Sequence, residues 1–466
     1  MPDRESPHAT RTERDSMGEM EVPAQALWGA STERARRNFP VSGERFPRRF
    51  LRALGLVKRC AAATNAELGG LEPRFAEAIQ AAAREVEEGR LDDHFVVDVF
   101  QTGSGTSTNM NANEVIAHRA RQLLGPGAPP VHPNDHVNLG QSSNDVMPSV
   151  LHLAARQAIH EEVLPALRRL HETLAAKARA FHDVLKIGRT HLMDATPLRL
   201  GQEVGGWARQ VELGVLRAEA AAEGLAELAL GGTAVGTGLN CPPGFAARTI
   251  ERISQATGLA YREARDHFEA QGARDAAVEA SGALKTVAVS LFKIANDLRL
   301  LASGPRCGLA ELRLPEIQPG SSIMPGKVNP VICEAVTQVC AQVVGNDAAI
   351  AVAGLSGQLQ LNVFIPLIAR NLLESIRLLA NVSNVFVEKC LDGLEADRAR
   401  AEALVEGSLA LVTALVPAIG YDAAAALAKE AAATGRTVRA LCLEKGVLPP
   451  EELARLLDPA RQAGEG

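Results

Sequence analysis

Aromatic residues are scarce in this sequence. Its 466 positions hold 12 Phe, 2 Trp and 2 Tyr, 3% of the chain. Sandwiches and barrels lean on aromatic and β-branched side chains, so the scarcity argues against an all-β fold. Cysteine pairing motifs are missing as well. Cys60, Cys241, Cys307, Cys333, Cys340, Cys390 and Cys442 include no C-x-x-C pair. That excludes a disulfide framework and a zinc or iron–sulfur cradle, and leaves buried thiols in a reducing cytoplasm. There is no excess of positive charge. Lys plus Arg total 49 against 55 Asp plus Glu, a net charge of −6, so nucleic acid is not the expected partner. No apolar run reads as a membrane span. The longest, Leu409 to Ile419, is broken by Thr413 and Pro417, so no membrane partner is expected. The N-terminal stretch MPDRESPHATRTERD mixes acids with arginines. It fits neither a secretory nor a mitochondrial leader and is expected to be a short mobile tail. No H-E-x-x-H and no clustered Cys/His set occurs, so neither metal nor cofactor is expected.

Alanine and leucine are abundant instead, and both favour helix. Helices are expected from Phe50 to Leu68 and from Pro73 to Glu88. Ile159, Val163, Leu167, Leu170 and Leu174 form one helical stripe, which Pro165 should kink or break. Val287, Leu291, Ile294, Leu298 and Leu301 form a heptad seam that should stop at Ser303-Gly304-Pro305. Leu372, Ile376 and Leu379 begin a third stripe. Helices of about 25 residues make a bundle ~40 Å long. One chain supplies few of them, which implies that subunits associate through these seams. Past Leu391, Gly393, Gly407, Gly420, Gly435 and Gly446 punctuate shorter helices. The domain reading is 1–138, mixed but mainly helical; 139–391, a central helical bundle; and 392–466, a small helical tail.

Six polar segments interrupt this pattern. The most informative is GSSIMPGKVNP, Gly320 to Pro330, where two glycines, two prolines, two hydroxyls, one ammonium and one amide are crowded together. Asn329-Pro330 reads as the cap and first residue of a helix whose positive end favours anions. Lys186 to Thr190 runs into His191 and Asp194, which makes His191 a candidate acid or base. QTGSGTSTNMNANE, Gln101 to Glu114, reads as a loop feeding a helix, and its alternating Gly and hydroxyl residues suit an anion-binding nest. Gln141-Ser142-Ser143-Asn144-Asp145 holds more polar groups than a helix cap requires. His132-Pro133-Asn134-Asp135 suits a turn, and Gly231 to Gly238 a hinge or loop near a site. If helix ends bring these clusters together, hydroxyls, amides and a lysine would hold a carboxylate substrate.

These segments, in this order, resemble those of the fumarase/aspartase superfamily, and within it most closely the class II, iron-independent fumarate hydratases. The resemblance runs from about Arg11 to about Leu457. It implies a mainly α, three-domain subunit whose long central helices assemble into the 20-helix core of a homotetramer, with each active site shared by three subunits. The implied reaction is reversible hydration of fumarate to malate in the cytoplasm. Removing a proton beside a carboxylate builds negative charge that fixed donors must stabilise. The resemblance gives this role to Lys327 and Asn329. It gives carboxylate binding to Ser104, Gly105, Thr106, Ser142, Ser143, Asn144 and Thr190, with Ser322 and Val328 beside them in the loop. Ser321 is implied as the base, and His191 paired with Glu334 as the acid, although the same His has also been cast as the base.

Aspartase usually carries Gln where His191 stands and Ala where Gly326 stands, so both positions favour the hydratase. A non-catalytic scaffold would have lost Ser321, Lys327, Asn329, His191 and Glu334, yet all are present. One departure concerns a second dicarboxylate site at His132, Pro133, Asn134 and Asp135. Pro129 and Pro130 stand where basic residues are common, and Leu139-Gly140 replaces a more polar pair. Weak or no separate binding is expected there.

Overall fold

Residues 9–464 are described by a computed structural model, and most of them are helical. Contacts divide the chain into two units. The first takes in the chain up to Leu164 with Arg217–Thr286 and Gln342–Leu379; the second takes in Pro165–Leu216, Val287–Ala341 and the chain from Ala380 onward.

The first unit opens with a hairpin, β1 (Thr10–Asp15) and β2 (Gly18–Pro23), paired antiparallel from Thr10 opposite Pro23 to Asp15 opposite Gly18. The expected mobile tail is therefore partly wrong, and its first eight residues lie outside the described ones. Arg11 is the reason. Its guanidinium donates to the carbonyls of Ala26 (2.6 Å) and Trp28 (2.8 Å), a tertiary anchor with no local pattern. Helix α1 (Ala30–Asn38) follows, then α2 (Arg48–Glu67) and α3 (Pro73–Glu87), the last two within two residues of the expected spans. The α2 face of Leu54, Val57 and Ala61 is fully buried and packs on α3. Helix α4 (Thr106–Leu124) starts inside the segment read as a loop, so Thr106 to Glu114 is its first half. Helix α5 (Ser143–Ala158) packs on α2.

Glu114 shows how α4 fixes its neighbour. Its buried carboxylate accepts the N–H groups of Gly29 (2.8 Å), Ser31 (3.0 Å) and Thr32 (3.1 Å) and the Thr32 hydroxyl (2.5 Å). These are the orphan donors at the start of α1, which has no side-chain cap of its own. Glu114→Ala is expected to cost about 3 kcal/mol, because buried donors are left unpaired. A shift in the urea midpoint worth less than ~1 kcal/mol would remove this role.

A π-helical turn, Ile159–Val163, joins α5 directly to α6 (Leu164–Ala180); the backbone stays helical through Pro165, so no break occurs there and the irregularity lies in the turn before it. The other long helices are α7 (Leu200–Gly224), α8 (Phe245–Thr257), α9 (His267–Gly272), α10 (Asp275–Leu301), α11 (Val331–Leu355) and α12 (Ile365–Phe386). α9 is the short exception. All three predicted stripes are buried, and α10 ends as expected just before Ser303. The expectation about membrane spans needs correcting. α11 is long and apolar enough to cross a membrane by composition, although a third of its most apolar window is buried. In the second unit, β3 (Leu185–Thr190) and β4 (Met193–Arg199) form a hairpin. Its Ile187 joins a core with Val405, Leu411, Leu415 and Leu441 of the C-terminal helices.

Candidate active site

In the first unit two helix N-termini meet. Gly105 precedes α4 with φ +76°, and a Cβ there would press on the Met147 side chain at 2.7 Å. A Cβ at Gly103 would overlap the Val363 carbonyl oxygen. Gly103 is therefore required by space, and Gly105 by space as well as by backbone angle. They place a hydroxyl chain: Ser104 Oγ lies 2.6 Å from Thr106 Oγ1, which lies 2.6 Å from Ser143 Oγ. Thr106 and Ser143 are the first residues of α4 and α5. Their free N–H groups and positive ends favour an anion.

The start of α5 is held by a reciprocal cap. The Ser142 hydroxyl accepts from the Asn144 N–H, and the Ser142 N–H donates to Asp145 at 2.9 Å. Asp145 is fully buried, and its second oxygen accepts the N–H groups of Gly231 and Thr233, both at 3.0 Å. Burial pushes its carboxyl above the ordinary value, while these three N–H bonds and the Lys58 charge oppose the rise. The Asn144 amide donates to the Ala234 carbonyl at 2.8 Å. The Gly231–Gly238 segment is thus a loop tied to the site, as its sequence suggested. A cleft of about 500 Å³ opens here, lined by Thr106, Asn109, Asn138, Gln141, Ser142 and Ser143, with Asn134 and Asp135 on the same wall.

His132 does not line that cleft. Its Nδ1 accepts from the N–H groups of Asn134 and Asp135 and lies 3.1 Å from the Asp135 carboxylate. A second anion would meet a carboxylate already in place.

In the second unit His191 and Leu192 form the two-residue turn between β3 and β4, with φ of +56° and +61°. Bulky residues seldom occupy the left-handed region, and such strain collects at functional sites. A buried ion cluster at the root holds the hairpin. Glu311 pairs with Arg189 at 2.8 Å and with Lys186 at 3.6 Å, and Lys186 reaches Glu203 at 3.0 Å. Thr190 and His191 are exposed at the tip, and Leu192 is 72% exposed.

The Gly320–Pro330 loop closes on itself. Gly320 N–H donates to the Lys327 carbonyl at 2.7 Å, and the Asn329 amide donates to the Gly320 carbonyl, also at 2.7 Å. Asn329 is therefore a loop clamp, and α11 starts at Val331, one residue later than Asn329-Pro330 suggested. Within the ring, Ser321 Oγ accepts N–H groups from Ile323 (3.2 Å) and Met324 (2.9 Å). Two donors aimed at one hydroxyl oxygen favour its alkoxide. Ser322, Lys327 and Val328 are exposed on the same loop, and Ile323 is 83% exposed. Glu334 lies in the first turn of α11. No hydrogen bond or ion pair joins it to His191 within the described residues of one chain. Those residues also contain no group of three or more His, Cys, Asp or Glu side chains placed to hold a metal ion.

Two residues at the cleft, Lys58 and Asn138, lie outside the segments the sequence pattern marks, and Asn109 lies within one of them without a role of its own. Lys58 is a lone lysine in LGLVKRCAAA, which was a usable signal. Asn138 carried no local one.

Comparison with known proteins gives a consistent picture. A lyase family model matches residues 18–345, and a model described as the fumarase C C-terminus matches residues 411–461. Fumarate hydratase class II of Halobacterium salinarum is 59% identical over 458 residues, covering 98% of this chain and 97% of that protein. The enzyme of the same name from Corynebacterium glutamicum is 54% identical over 444 residues, 95% of this chain and 93% of that protein. The crystal structure of recombinant class II fumarase from Schistosoma mansoni superposes with a TM-score of 0.95 at 40% identity, covering 98% of this chain and 99% of that one.

Proposed function

The chain belongs to the class II fumarases of the lyase family, and from that membership we propose how it interconverts fumarate and (S)-malate in the tricarboxylic acid cycle. The observation that carries the mechanism is the pair of N–H donors on Ser321 Oγ. In the dehydration direction the Ser321 alkoxide takes the C3 proton of malate. The electron pair left behind spreads onto the neighbouring carboxylate, giving an aci-carboxylate. Lys327 and Asn329 stabilise that added charge. The electrons then form the C2–C3 double bond, and the C2 hydroxyl leaves as water with a proton from His191, supported by Glu334. Ser104, Gly105, Thr106, Ser142, Ser143, Asn144 and Thr190 hold the carboxylates, with Ser322 and Val328 completing the loop. The chemistry is proton transfer coupled to cleavage of the C2–O bond, has no net redox change and needs no electron carrier.

Association into a homotetramer with shared sites is part of the proposal. α11 leaves the apolar side chains Val344 (42%), Val352 (60%) and Leu355 (85%) exposed. Large apolar side chains clustered on one exposed helix suit cover by another chain. The exposed tips at Leu192 and Ile323 fit the same picture, since partner chains would cover them. Equilibrium sedimentation at micromolar concentration is expected to give a tetramer, and monomer alone would end this reading. The free thiols support a reducing compartment, the cytoplasm.

Two measurements test the activity. Ultraviolet absorbance in the fumarate band is expected to grow when L-malate is added, to be unaffected by a chelator and to stay flat with L-aspartate. Growth with aspartate alone would make the protein an ammonia-lyase, and silence with both would favour a non-catalytic scaffold. A crystal soaked with malate is expected to fill the hydroxyl cleft and leave His132 without ligand. Full occupancy at His132 would overturn the doubt about a second site.

A further inference from the structure

Beneath the cleft lies a buried amine that takes no part in the proposed proton transfers. Lys58, on α2, is 0% exposed. Its Nζ donates to Asn138 Oδ1 at 2.8 Å and to Gln141 Oε1 at 3.1 Å. Both acceptors line the cleft. Asn138 also accepts from the Asn109 amide at 3.3 Å and donates to the Gln141 carbonyl at 3.0 Å, and Gln141 leads directly into Ser142 and Ser143. The lysine thus fastens the wall that carries the hydroxyls. It puts the only ammonium of this wall behind them, among the described residues.

We infer that Lys58 is a positioning residue for the dicarboxylate, holding Asn138 and Gln141 in place and supplying a buried positive charge behind the Ser142–Ser143 hydroxyls. The inference rests on the proposed function of the cleft.

The charge environment decides how this device behaves. α3 gives its Glu87 to Arg59, and α8 gives Arg248 and Arg252 to Glu67. His136, in the turn before α5, is stacked on Phe75. The Asp135 carboxylate of that turn is 77% exposed to solvent, beside His132. What remains facing Lys58 is Asp145 on α5, itself tied to three N–H groups. Burial pushes the amine down to about 7, with Asp145 pulling the other way. A dicarboxylate arriving in the cleft favours the ammonium, so the complex keeps the proton to higher pH than the free protein. Binding therefore takes up a proton above pH ~7, and affinity falls as pH rises through that value.

The test uses succinate, a dicarboxylate that cannot react, titrated by calorimetry at pH 8 in buffers of different ionisation enthalpy. The full-length wild type is compared with Lys58→Arg and Lys58→Met. Wild type is expected to take up a fraction of a proton that both variants lack. Lys58→Arg should keep affinity within a few-fold, because its charge remains. Lys58→Met should lose about tenfold or more, the usual cost of one charged hydrogen bond. If Lys58→Met does not fold, Lys58→Arg still carries the test, since a merely structural lysine would leave proton uptake unchanged. Uptake equal in wild type and Lys58→Arg would overturn the inference while leaving the hydratase reading intact. Failure of the wild type to bind succinate or to hydrate fumarate would remove both.

Discussion

Ser321→Ala is expected to lower kcat for malate dehydration by about 10²–10⁴-fold, the range for loss of a proton-transfer group. An ordinary serine hydroxyl is far too weak a base to take a proton from carbon. What changes this one is its place in the loop. The Ile323 and Met324 N–H groups converge on its oxygen, and the ring is closed by the Gly320–Lys327 and Asn329–Gly320 bonds. The donors do not have to reorganise when the oxygen becomes negative, so their effect is available as charge develops. Alanine removes the oxygen and frees two N–H groups on an exposed segment, where water can take them, so stability should barely change. The sharper readout is exchange of the malate C3 proton with deuterated solvent. It should stop in Ser321→Ala. Exchange and turnover near the wild-type rate would mean that Ser321 is not the base.

His191→Asn is expected to cost a similar ~10²–10⁴-fold in kcat but to leave a different signature. His191 stands at φ +56° in a two-residue turn. Asparagine tolerates that region better than most residues, because its short polar side chain bonds locally. The substitution therefore keeps the hairpin, whose root is held by Lys186, Arg189, Glu203 and Glu311. Any large loss then belongs to chemistry. With Ser321 intact, C3 exchange should continue while loss of the C2 hydroxyl slows. The opposite pattern, with exchange abolished and Ser321→Ala still exchanging, would reverse the two roles and make His191 the base. The pair of variants thus decides an assignment that the residue types leave open. Lys327→Ala should impair both binding and turnover, because the proposed mechanism uses its ammonium to stabilise the charge that forms.

The helices and the polar segments were legible because their signals are local. A stripe at 3 and 4 residue steps has one apolar face whatever surrounds it, and every stripe read this way is buried. A loop dense in Gly, Pro and hydroxyls has few other uses, and the order of the six segments identified a family. What local signals missed has a common cause. The β1–β2 hairpin depends on Arg11 reaching carbonyls 15 and 17 residues away. Asn329 clamps its own loop where its neighbour Pro330 suggested a helix cap. The polar edge at Thr106 to Glu114 looked like loop, yet buried Asn109 and Asn111 sit inside α4, where the Val96 N–H, the His94 carbonyl and the Asn138 amide oxygen pair with their side chains.

Chain chemistry alone is enough for helix content and for polar segments suited to a carboxylate, because each depends on which side chains exist and how they are spaced; the reaction class and the individual residue roles came from the family resemblance those segments carry. Three-dimensional packing was needed to bring Ser104, Thr106 and Ser143 into one hydroxyl chain at two helix ends. It also aimed two N–H groups at Ser321 and buried Lys58 under Asn138 and Gln141. Those features join residues up to 83 positions apart. Their energies come from burial and from convergent donors, and no spacing along the chain encodes either.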